Sequence, residues 1–117
     1  MVAFDETYDA YMLEQDGVLF RWEDKPDAEA EAAAARTAAA YHTNIRKIAG
    51  FLINDLIRDI WGISDPEQVI ARLGRPQIVP ALRQVVYCEH LFDKLHVISF
   101  EYLDDEFQRL QAVDLDG

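Results

Sequence analysis

Residues 27–61 form the longest stretch of this chain with one sustained periodicity, and they limit what it can fold into. Ala38, Tyr41, Ile45, Ile48, Leu52 and Leu56 recur at steps of three or four, and Ala49, Ile53, Ile57 and Ile60 widen the stripe, which is the signature of a helix with one buried face. Asp27, after Pro26, is placed to cap its start, Glu29 and Glu31 suit the positive end of the helix dipole, and Gly62 stands at the usual stop. The apolar residues from 28 to 40 are nearly all alanine, so this half, Ala34 included, is expected to be held by helix propensity and the half from Ile45 to Trp61 by burial. A straight helix of this length would run roughly 50 Å, against roughly 35 Å for a compact domain of this size. The segment therefore projects, packs on a partner, or breaks, with Thr43, Asn44 and Gly50 as the weak points.

The flanks are β in character. Residues 4–13 alternate, with Phe4, Tyr8, Ala10 and Met12 on one face and Asp5, Thr7 and Asp9 on the other, which predicts one half-buried strand. Gln15-Asp16-Gly17 then makes a turn into Val18, Phe20 and Trp22, completing a hairpin. Beyond Gly62, Ser64 with Glu67 forms a capping box around Pro66 for a short helix that Gly74 ends. Residues 75–80, with prolines near both ends, read as a connection, and residues 85–91, 95–103 and 107–115 as three strands. The expected fold is a single α+β domain in the order ββααβββ: an antiparallel sheet of about five strands against one long helix and one short helix.

With 117 residues the chain has room for one core. No apolar run reaches bilayer length and no charged-then-apolar leader opens the sequence, so a soluble protein is expected; the single cysteine, Cys88, fits a reducing cytoplasm. The formal charge of −11 is unevenly placed: residues 1–31 carry −8, residues 32–86 carry +3 and residues 87–117 carry −6. This pattern argues against nucleic acid, whose phosphates need clustered lysine and arginine, and points to a basic protein partner. The expected partner-binding residues are the exposed acids and aromatics of the first hairpin, Asp5, Asp9, Tyr11 and Glu14, with Asp104, Asp105 and Glu106 on the far turn.

Cys88, His90 and His96 are the most chemical-looking group. If a hairpin closes through residues 92–94, position 90 lies opposite 96 with Cys88 on the same face, and two imidazoles and a thiol are competent zinc ligands, with Asp93 or His42 available as a fourth. Against this, no glycine-flanked nucleophile turn and no phosphate-binding glycine loop is present, so no cofactor is expected and a binding role is favoured over an enzyme. Tyr41, Trp61, Phe100 and Tyr102 fit either a pocket or plain core, and the small residues Ala32–Ala35 and Ala38–Ala40 allow a homodimer along the helix.

From Asp65 to Gly117 the short helix, Pro76-Gln77-Ile78, the run Phe92-x3-His96-x-Ile98-x-Phe100 and the closing Asp-Gly resemble the C-terminal half of small uncharacterised bacterial domains found near polymorphic toxin systems. Many of those domains are taken to be immunity proteins. The resemblance implies an inhibitor whose partner is a toxin, with the histidine not an established catalytic group.

Overall fold

The computed structural model describes residues 1–117 and shows an α+β fold in which every strand belongs to one seven-stranded sheet. The strands are β1 (Ala3–Asp5), β2 (Ala10–Gln15), β3 (Val18–Trp22), β4 (Gln77–Val79), β5 (Gln84–Tyr87), β6 (Val97–Tyr102) and β7 (Leu110–Asp116), side by side in chain order. Between β3 and β4 lie α1 (Ala28–Thr43), α2 (Ile45–Leu52), a π-helical turn (Ile53–Ile57), α3 (Arg58–Trp61) and α4 (Pro66–Leu73). The stretch from α2 through α3 is continuous, so there are three helical bodies.

The expected antiparallel sheet of about five strands is therefore corrected in three places, and the one long helix in a fourth. First, the sheet is mixed: β3 and β4 pair in parallel, while all other neighbours are antiparallel. The helices return the chain to the end where β3 began, and there the Leu19 N–H donates to the Pro76 carbonyl at 3.0 Å. A helical crossover is the usual way to join parallel neighbours. Secondly, residues 4–13 are two strands. The Asp5 carboxylate accepts from the N–H groups of Thr7 (2.8 Å) and Tyr8 (3.2 Å), and Asp9 takes a left-handed φ of 51°, so the chain doubles back after three residues. Thirdly, Gln77–Val79 is a strand and not a connection, buried along its whole length between β3 and β5.

The long helix breaks at Asn44, one of its weak points. Its φ of −107° leaves the α region, and its side-chain amide donates to the Ala40 carbonyl at 2.8 Å, ending α1 from within. The longest dimension of the protein, 41 Å, is shorter than the roughly 50 Å an unbroken helix would need. From β6–β7, the Gln108 side chain donates to Asn44 Oδ1 and accepts from Lys47 Nζ, each at 3.0 Å, fixing the bend. The cap of α4 is Asp65, whose carboxylate accepts from the Glu67 N–H, rather than Ser64. Gly74 follows with φ 72°, and a Cβ there would come 2.6 Å from the Glu89 carbonyl oxygen.

Leu13, Phe20, Ile78, Val85 and Phe100 share a face by strand register, and α1, α2 and α4 pack on it through Tyr41, Ile48, Leu52, Val69 and Leu73. Ala34 and Ala38 are buried in the same core, so the alanine half of the helix is held by packing as well as by propensity. Tyr41, Phe100 and Tyr102 belong to the core, while Trp61 stacks on Phe92 with ring centroids 5.0 Å apart. No helix is long and apolar enough to cross a membrane.

Candidate functional site

The strand directions gather four connections at one end of the sheet. There β1, β3, β4 and β6 finish and β2, β5 and β7 begin, so the turn at 6–9, the exit from β3 at 23–27, the 3-10 turn Pro80–Leu82 and the loop at 103–109 lie together. Segments from the acidic N-terminal and C-terminal thirds, separate in sequence, thus meet at one end. Asp9, Glu23, Asp24, Asp105 and Glu106 are all exposed there.

Between the first two of these connections and the 3-10 turn is a cleft of about 590 Å³. Ala10, Arg21 and Val79, which point away from the helices, line it from the sheet. Tyr8 and Leu82 line it from the two turns, 46% and 63% exposed, while Asp9, Glu23 and Asp24 supply carboxylates. None of these three acids is in an ion pair, whereas Glu67 is held by Arg46, Glu14 and Glu89 by Arg75, Asp105 by Arg83, Asp104 by Arg109 and Asp93 by His96. The Arg21 guanidinium lies over the Tyr8 ring, 5.9 Å from its centroid.

The expected partner-binding residues divide accordingly. Asp9, Asp104, Asp105 and Glu106 share the acidic end. Asp5 lies there too, but its carboxylate closes the β1–β2 turn. Asp104 is likewise structural: it accepts from the N–H groups of Glu106 (3.0 Å), Gln108 (3.1 Å) and Arg109 (2.7 Å), and these bonds, that from Gln108 foremost, hold its carboxyl below the usual range. Tyr11 faces the helix side, edge-on to Phe4 at 5.2 Å. Glu14 is at the opposite end, 2.9 Å from Arg75. Sequence reasoning missed Glu23, Asp24 and Leu82, because only the parallel pairing of β3 with β4 brings the 3-10 turn beside the exit from β3.

Cys88, His90 and His96 are not brought together. The observed register pairs Tyr87 with Ile98, one residue off the expected alignment, and the strands end before the histidines. His90 turns inward beside Trp61 and bonds the His96 carbonyl through Nε2 at 2.6 Å. His96 bonds Asp93 through Nδ1 at 2.7 Å, and Asp93, held chiefly by this contact, titrates below the usual carboxylate range. Cys88 lies on the helix-free face, its thiol donating to Gln77 Oε1 at 3.9 Å, and burial raises its pKa, which disfavours a thiolate nucleophile. His42, the other fourth-ligand candidate, bonds the Asp16 carbonyl at 2.6 Å. No group of three histidine, cysteine or acidic side chains is placed to hold a metal ion.

Compared with protein families, with characterised proteins and with solved structures, the chain shows no match. The site is therefore argued from its own geometry and charge.

Proposed function

We propose that this protein is a small cytoplasmic binding protein that masks a basic site on a protein partner through the acidic end of its sheet, acting as an inhibitor of the immunity type toward a toxin. The observation that carries this reading is the gathering of Asp9, Glu23 and Asp24 around a cleft with exposed Tyr8 and Leu82, with exposed Asp105 and Glu106 at the same end of the sheet. Carboxylates around exposed apolar side chains suit a hot spot with a charged rim, and a chain of net charge −11 steers association with a basic target. The resemblance of residues 65–117 to toxin-associated domains supports the finer part of the reading.

The experiment is capture of the partner from the source cells, followed by binding kinetics with the purified pair. Replacing Asp9, Glu23, Asp24 and Glu106 by their amides is expected to slow association and flatten its dependence on salt, with the fold intact because none of the four is in an ion pair. An unchanged rate and salt slope would place the interface elsewhere. A toxin as the captured partner, with its activity suppressed on binding, is the result expected for the immunity reading.

A further inference from the structure

We infer that the cleft receives an extended basic segment of the partner, with a lysine or arginine side chain held by the carboxylates of Asp9, Glu23 and Asp24 and a flanking backbone carbonyl held by Arg21; the inference rests on the function proposed above. At about 590 Å³ the cleft lies within the roughly 300–1,000 Å³ range of ligand-binding pockets. Its apolar lining from Ala10, Val79, Ala81 and Leu82 suits the aliphatic stem of a long cationic side chain, which buries its methylenes while the charge stays at a wet rim. The three carboxylates at that rim have no ion-pair partner in the protein, so an incoming cation displaces no existing bond.

Arg21 decides between a bare cation and a peptide. A guanidinium repels a metal ion or a small amine, but it offers five N–H donors in a fixed fork. The guanidinium lies over the Tyr8 ring and takes part in no ion pair. A peptide segment answers both charges at once, its side chain meeting the carboxylates and its carbonyl oxygen meeting Arg21.

The test uses the full chain and a fluorescently labelled, capped peptide alternating glycine with lysine and arginine, against the same peptide carrying norleucine and citrulline. Anisotropy is followed at about 0.1 M salt, where charges more than about 10 Å apart are largely screened. Saturable binding of the basic peptide alone is expected. Asp9→Asn/Glu23→Gln/Asp24→Asn and, separately, Leu82→Ser should each weaken it about tenfold, a loss of hot-spot size. A control with the same charge change elsewhere, Glu31→Gln/Asp55→Asn/Asp59→Asn, should bind as the parent does.

Arg21→Gln is the discriminating variant, because it makes the protein more acidic. Simple attraction predicts tighter binding of the basic peptide, whereas a carbonyl held by Arg21 predicts weaker binding. Tighter binding by Arg21→Gln, equal loss in the charge control, or no saturable binding by the parent would each overturn the inference. The two proposals separate on the intact partner: a cleft variant that still masks it, while neutralising Asp105 and Glu106 abolishes masking, sinks the cleft and spares the function.

Discussion

The hydroxyl oxygens of Tyr41 on α1 and Tyr87 on β5 lie 2.7 Å apart, a buried hydrogen bond between positions 46 residues apart in the chain. It fixes where the first helix sits on the sheet, since each phenol is satisfied only by the other's position. Burial pushes both phenols above their usual pKa.

Tyr87→Phe leaves the Tyr41 hydroxyl without its partner and is expected to cost about 1–3 kcal/mol, while Tyr41→Phe/Tyr87→Phe should cost less than the two single changes together. Denaturant midpoints of the four proteins measure this. Because the folded pKa values are raised, their contribution is fully present below the ordinary phenol value of about 10 and is lost as pH rises through the folded values. The parent should therefore lose stability with alkali more steeply than the double variant.

Leu52, fully buried where α2 meets the sheet, should cost about 2–5 kcal/mol on replacement by alanine. Ala34→Ser puts a hydroxyl into the same core and should cost about 1–3 kcal/mol. Ala32→Ser, on the exposed side of α1, should cost under about 1 kcal/mol. Equal midpoints for the two serine variants would contradict the packing of α1.

Gln77 is 6% exposed and its Nε2 has no hydrogen-bond partner. Methionine has a similar shape and no amide to satisfy, so Gln77→Met is expected to leave stability unchanged or raise it by about 1 kcal/mol. A clear loss in thermal or urea unfolding would mean that the amide contributes a bond in solution.

Asp104 and Asp93 both have depressed carboxyl pKa values, so their contribution to stability is present above the ordinary aspartate value and is lost as pH falls through the folded one. Asp104→Asn removes the acceptor charge that closes the 103–109 loop. Its stability should depend less on pH than the parent's below about pH 4, near the ordinary carboxylate range. Parallel acid-unfolding curves would argue against this role.

Much of the local structure was legible because local signals suffice for it. Asp16 and Gly17, with φ of 52° and 77°, make the hairpin turn that their residue types favour, and Asp27 caps α1 by accepting from the Ala30 N–H at 2.8 Å. Asn44 was among the marked weak points because its short amide competes for helix carbonyls. The strand Gln77–Val79 was hidden, since three residues between prolines form a strand only when β3 and β5 already flank them.

What the sequence alone determined is the α+β class and the broad placing of its parts: helical period in the middle, β character on both sides, acids toward both ends of the chain. What only the tertiary structure decided is who meets whom. Because β5 ends at Tyr87, the chain beyond it no longer follows strand alternation, and His90 turns inward while Cys88 stays on the helix-free face. The crossover from β3 to β4 then places Leu82 beside Glu23 and Asp24, and the antiparallel run to β7 turns Asp105 and Glu106 toward the same end. Those meetings depend on long-range pairing, whose free energy is set by the whole core and leaves no mark in any short window of sequence.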